Sequence, residues 1–222
     1  MLSALGAVLI IASVALSDHD GTDITEKLFV GGAFGSSCVL GISLALRPNW
    51  IRRLLTQWGH NQGQDLEAGL RRRIGHHPDC DGFQSHTVQI GGRSLCAGCT
   101  GLAIGAGTSI VAMSLYVVLP VSIPSTVWDL LIVLGVGLVV TNYIEISLLP
   151  GKALHHLVLN ALMVLGFLLV VIGLLSLTGN PLIGLLGVVV SFLWLDTRIQ
   201  ISKWRHTETC RACARECKAY RP

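Results

Sequence analysis

Charge is what this sequence has little of. Only 13% of its 222 residues are Asp, Glu, Lys or Arg, against about a quarter in an ordinary soluble domain. A chain so poor in charge does not read as a water-soluble globule. Several other features are missing. There is no internal repeat, no low-complexity tract, no glycine-rich nucleotide motif, no HExxH and no GxSxG, which argues against the familiar hydrolases and against an ATP-driven pump. The N-terminus lacks the positive charge that opens a signal peptide, so Met1–Ser17 reads as a retained helix.

What is present is apolar and gathered into runs. Hydrophobic residues make up 51% of the chain. The runs are Met1–Ser17, Leu28–Leu46, Ala97–Leu119, Thr126–Leu149, Leu154–Leu177 and Pro181–Leu195. About 20 apolar residues cross a bilayer as a helix. The middle four runs meet this length, and the last does so only if its helix continues through Asp196 and Arg198. None alternates polar with apolar as a barrel strand would. The expected fold is an all-α, polytopic membrane helix bundle of about six transmembrane helices. Its parts are two N-terminal transmembrane helices over 1–47, a cytoplasmic interfacial helix and Cys/His loop over 48–95, a four-helix transmembrane core over 96–198 and a cytoplasmic Cys-rich tail over 199–222.

The charges that do occur set the orientation. Asp18, Asp20, Asp23 and Glu26 cluster after the first run, where Lys27 is the lone basic residue. Arg47, Arg52, Arg53, Arg71, Arg72, Arg73, Arg93, Lys152 and the tail Lys203–Arg221 fall on the opposite side. Basic residues near span ends are retained in the cytoplasm, so both termini are expected there, in a multi-pass protein of the cell membrane. This bias accounts for the net charge of +3 without a nucleic-acid partner; the lipid bilayer, with its anionic headgroups, is the expected contact. Trp50, Ile51, Leu54, Leu55 and Trp58 share one helical face and predict a short helix lying in the interface.

Cysteine and histidine carry the chemistry. Of seven cysteines, Cys38 sits alone in a span and reads as a small buried hydrophobe. His77-x2-Cys80 is separated by fifteen residues from Cys96-x2-Cys99, the spacing of a ribbon-type zinc site, with His76 and His86 as spare ligands and Gly91-Gly92 as a turn between. The stretch Gly75–Arg93 has no long apolar run, so something other than burial is expected to fold it, and a metal would serve. A second group, His206-x3-Cys210-x2-Cys213-x3-Cys217, places three thiols on one helical face. It reads as a second zinc site, as part of one centre shared with the first group, or as a fragment of an iron–sulfur run. Within the spans, Glu145, Asn142 and Asn160 are polar at some depth, with His155 and His156 at the junction. Glu145 is expected either to serve function or to pair locally with Lys152. Asp129 and Asp196 read as interfacial. Gly101 and Gly105 form a small-xxx-small pair for close helix approach.

The stretch His77-Pro78-Asp79-Cys80, Phe83, Gly91, Leu95 and Cys96-Ala-Gly-Cys99-Thr-Gly101-Leu-Ala-Ile-Gly105 resembles a domain-of-unknown-function family of predicted prokaryotic membrane proteins. That family has a His/Pro loop leading into a Cys-Ala-Arg-Cys-Thr-Gly helix start. The likeness covers His76 to Phe167, and Asp129 and the Asn142–Glu145 stretch look like its later polar positions. Gly98 stands where the family has arginine, and Cys80 adds a thiol. The resemblance implies a topology and a site location but no reaction. Three functions follow as expectations. In the first, which is not enzymatic, metal knuckles fold the cytoplasmic face and present it to a protein partner. The second is a membrane oxidoreductase, thiol- or iron–sulfur-based and coupled to a quinone-like carrier, in which Cys96 and Cys99 at a helix N-terminus are the reactive pair. The third is a small transporter using Glu145 and Asn160. No single residue is identified as catalytic.

Overall fold

In lipid an apolar run can satisfy its backbone only by closing its own hydrogen bonds. Five helices long and apolar enough to cross a membrane form among the described residues. The computed structural model describes residues 6–8, 12, 22–46, 73–74, 77–78, 86–120, 123–148 and 152–211. The long helices are α1 (Ile24–Leu46), α2 (Ala97–Val118), α3 (Ser125–Leu148), α4 (Ala153–Thr178) and α5 (Pro181–Arg211). They are the helices a multi-pass membrane bundle requires. Large apolar side chains cover their outer faces, among them Val111, Val118, Leu130, Val133 and Leu182, as lipid contact demands.

Helix ends follow local chemistry. The Asp23 N–H donates to Glu26 Oε2 at 2.9 Å, and the Asp23 carbonyl accepts the first helical bond of α1 from Lys27. α4 stops at Gly179, whose φ of 59° suits glycine. Asn180 then opens α5 by accepting the Leu182 N–H at 2.9 Å, with Pro181 at the first helical position. α5 is 31 residues long, about 46 Å at 1.5 Å per residue. It therefore outruns a hydrocarbon core of about 30 Å. The helix passes Asp196 and Arg198, as a span there needs, and goes on to Arg211, so residues 199–211 are helical.

α4 is the centre of the bundle. It packs against α2, α3 and α5, and Met163, Val170, Val171, Leu174 and Leu175 along it are fully buried. Glycines allow the backbones to meet. A Cβ on Gly101 of α2 would land on the Leu157 carbonyl of α4, and one on Gly105 would sit 2.6 Å from the Ala161 carbonyl oxygen. On the other side of α4, Gly135 and Gly166 face one another's carbonyls in the same way. The expected role of Gly101 and Gly105 in close approach is thus realised.

Of the first apolar run, residues 6–8 and 12 are helical, and a Cβ on Gly6 would meet the Val190 side chain of α5 at 2.9 Å. The rest of Met1–Ser17 lies outside the described residues. So does the proposed interfacial helix around Trp50–Trp58.

Candidate functional site

Between α1 and α2 the chain forms short strands. β1 (Arg73–Ile74) pairs with β2 (His77–Pro78), and β3 (Thr87–Ile90) pairs antiparallel with β4 (Arg93–Cys96). Gly91 and Gly92 have φ of 56° and 74°, the double positive φ that a two-residue hairpin turn of type I′ needs. The sequence predicts that something other than burial folds Gly75–Arg93, and over 87–96 ladder hydrogen bonds provide part of it. The hairpin has a second effect. Register places Thr87 opposite Cys96, and α2 begins at the next residue, Ala97. Strand and helix together therefore pin Cys96 at the junction.

Cys99 lies one turn into α2. Its thiol and that of Cys96 are joined by a hydrogen bond, and the Arg198 guanidinium of α5 faces both sulfurs. Thr100 Oγ1 donates to the Cys96 carbonyl at 2.9 Å and fixes the first turn. Ala97 is wholly buried. Gly98 has no side chain to fill the space beside it, and Arg198 Nη2 lies 3.1 Å from where its Cβ would be, with Cys96 Sγ at 3.9 Å.

The other polar groups collect at the same end of the bundle. α2 and α4 begin there, and α3 ends there. Glu145 of α3 reaches His156 of α4, with Oε1 at 2.9 Å from Nδ1. The approach is in ion-pair range but misses hydrogen-bond geometry, so neither carboxyl oxygen has a hydrogen-bond donor. The expected local pairing with Lys152 is therefore replaced by His156, one turn further on, whose ring the α4 N-terminus holds against α3. Asn160 Nδ2 donates to the His156 carbonyl. Asn142 lies one turn below Glu145, 1% exposed. His86, just before β3, stacks on His156 with ring centroids 4.6 Å apart and meets His206 edge-on at 5.9 Å.

α5 contributes a row at four-residue spacing. Arg198, Ser202, His206 and Cys210 are all buried, because they share the face turned to the bundle. Sequence reasoning missed Arg198 as a site residue. The available signal was that row, legible only once the helix is known to run past Leu195.

The predicted ligands divide as follows. Cys96 and Cys99 come together. His206 and Cys210 stand one turn apart on α5, and the His86–His206 contact brings them against the hairpin that leads to Cys96. His77 lies in β2. Cys80, Cys213 and Cys217 lie outside the described residues. Among the described residues, no three His, Cys, Asp or Glu side chains are grouped to hold a metal ion. Several buried side-chain atoms at this end have no hydrogen-bond partner: Asn142 Oδ1, both Glu145 oxygens, His156 Nε2, Asn160 Oδ1 and Arg198 Nε. Most buried polar atoms are satisfied, and exceptions gather where a protein does chemistry. Cys38, by contrast, is a buried apolar neighbour as expected. No family model, no curated protein and no solved structure matches this chain. The family resemblance accordingly rests on its motif alone.

Proposed function

We propose that the chain is a membrane oxidoreductase whose centre is the Cys96–Cys99 dithiol. One observation carries this: two thiols in a Cys-x-x-Cys at a helix N-terminus, hydrogen-bonded to each other and faced by a buried guanidinium. Two thiols in contact within a Cys-x-x-Cys can close one disulfide by thiol–disulfide exchange. In the reaction two S–H bonds break, one S–S bond forms, and two electrons and two protons leave for a carrier. The Lys/Arg bias supports placing this end at the cytoplasmic face of the cell membrane. A cytoplasmic dithiol would begin each cycle reduced.

The test is a redox titration of the full-length protein in thiol/disulfide buffers, read by mass-shift alkylation. Cys96 and Cys99 should lose both thiols together in a two-electron transition, and Cys96→Ser or Cys99→Ser should abolish it. Two thiols that stay alkylatable at every poise would defeat the proposal.

A second reading is favoured by the His86–His206 contact, which sets a spare ligand of the first Cys/His group against a histidine of the second. In it Cys96 and Cys99, with ligands from His77, Cys80, His206, Cys210, Cys213 and Cys217, bind zinc, and the ordered face docks a cytoplasmic protein. Elemental content separates the two. Stoichiometric zinc with protected thiols supports the second, iron with colour supports a cluster, and metal-free titratable thiols support the first.

A further inference from the structure

A dithiol in a membrane needs an electron carrier that can reach it, and the walls around Cys99 indicate the route. A groove of about 350 Å³ lies between the end of α1 and the start of α2, with Cys96, Cys99 and Thr100 at its base and Leu46, Leu95 and Ile104 on its flanks. That volume is within the range of about 300–1,000 Å³ typical of small-molecule sites. The flanking side chains are exposed, Leu46 by 69% and Ile104 by 47%, so on the outside of a membrane bundle the groove opens toward lipid.

A second cavity lies further along α1. Phe34, Cys38 and Gly41 of α1 and Leu102 and Ala106 of α2 line a narrow crevice of about 90 Å³, closed behind by Phe167. On α1 the positions 34, 38, 41 and 45 form one stripe, and on α2 the positions 99, 102, 103 and 106 form another. Groove and crevice therefore border the same α1–α2 seam at different depths, the groove at Ala45 and Cys99 and the crevice at Gly41 and Leu102, with Val188, Ser191 and Leu195 of α5 also walling the crevice. The seam changes character along its length. At the thiol end it offers two sulfurs and a hydroxyl. Deeper in, Ser37 and Ser191 donate to carbonyls of their own helices, at 2.8 Å each, and leave the wall apolar.

We infer that this seam binds a lipid-soluble quinone, its ring at Cys99 and Thr100 and its hydrocarbon tail along the Phe34–Cys38–Gly41 crevice. The inference rests on the dithiol reading and supplies its carrier. The balance closes: the Cys96 and Cys99 thiols give two electrons and two protons, one S–S bond forms, and both quinone carbonyl oxygens become hydroxyls. Run backwards, quinol reduces the disulfide.

Gly41 provides the test, because a Cβ there meets nothing within 4 Å while the residue lines the crevice. Reduced full-length protein in phosphatidylcholine nanodiscs is mixed with two benzoquinones, fully ring-substituted so that thiols cannot alkylate them, one tailless and one carrying a ten-carbon tail. Quinol absorbance and thiol loss are followed together. The wild type should form one quinol per two thiols lost and should prefer the tailed quinone. Gly41→Leu should cut that preference about tenfold, the equivalent of two buried methylene groups of tail. Gly32→Leu, which also points into open space but on the exposed side of α1, should keep it. As a check independent of any variant, a photoreactive group on the tail should label the stretch 34–41 of the wild type. Quinone reduction without tail preference, or no reduction by protein whose thiols titrate as a pair in thiol/disulfide buffer, overturns the seam and leaves the dithiol standing. Thiols that fail to titrate as a pair in that buffer overturn both.

Discussion

The same substitution, Gly→Ala, should have opposite signs two residues apart on α2. At Gly105 a Cβ would lie 2.6 Å from the Ala161 carbonyl oxygen and 2.8 Å from Ala161 Cα. That is about 0.8 Å inside an ordinary contact. Neither atom can swing away, because both are backbone of α4, so the helices must part by most of an ångström. Lipid gives helices no hydrophobic drive to associate, and close packing is what holds them together. Overpacking of this kind costs about 1–3 kcal/mol. At Gly107 a Cβ meets nothing within 4 Å. There alanine only removes backbone freedom from the unfolded chain, a gain of about 0.5–1 kcal/mol. The two variants should therefore differ by roughly 1.5–4 kcal/mol in unfolding free energy. Reversible unfolding in mixed micelles, followed by circular dichroism, measures it. Equal shifts, or a neutral Gly105→Ala, would refute the α2–α4 packing and with it the placement of Cys99 against Arg198.

Other outcomes follow from the same contacts. His156→Ala should leave the buried Glu145 carboxyl without its neighbour and cost about 1–3 kcal/mol, whereas Lys152→Ala should stay within about 0.5 kcal/mol; the same micelle unfolding compares them. Tyr143→Phe removes the hydroxyl that donates to the Trp194 carbonyl at 2.7 Å and should cost about 0.5–1.5 kcal/mol of α3–α5 stability, read as a lower unfolding midpoint. At the start of α1, the Thr25 hydroxyl and the Ile24 backbone hold the Asp23 carboxyl below its ordinary value. A depressed carboxylate stabilises above the unfolded value and loses that contribution as pH falls through the folded one. Amide exchange over the first turn of α1, corrected for intrinsic rates, should therefore quicken only below about pH 3.9, and Asp23→Asn should remove the pH dependence.

The spans were legible because lipid leaves a chain few options. A run of about 20 apolar residues has to be a helix, and the sequence reading places α2, α3 and α4 within a few residues of where they stand. α5 was harder. Its apolar run ends at Leu195, but the helix goes on to Arg211 through Asp196, Arg198 and Lys203. Hydropathy reports contact with lipid, and this part of α5 buries a polar face against protein instead. The partner of Glu145 was hidden for a related reason. Lys152 is nearer in sequence and of opposite charge, but His156 stands on the buried face of α4 turned to α3, and sequence distance does not reveal that face. The hairpin over 87–96 was half visible. Its Gly91-Gly92 turn was read, while the short strands beside it carry too little apolar pattern to announce themselves.

Arg198 shows how the site holds together beyond its motif. The resembling family has arginine inside the Cys-x-x-Cys, where this chain has Gly98. A side chain at that position would crowd the Arg198 guanidinium, whose Nη2 lies 3.1 Å from the Cβ position and would have to shift by a few tenths of an ångström. The cation beside the two sulfurs therefore comes from α5 here rather than from the motif itself. A guanidinium buried at this depth is costly unless paired, and Glu145 together with the two sulfurs lies on the sides from which it can be compensated. The three groups come from α2, α3 and α5, and Arg198 meets both its partners only when all three helices are docked. Truncating Arg198 should therefore loosen more than the thiol pair, exposing Glu145 to the loss of its only nearby guanidinium among the described residues. Cys96→Ser leaves Arg198 and Glu145 in place and should abolish the disulfide chemistry while costing less stability than truncating Arg198.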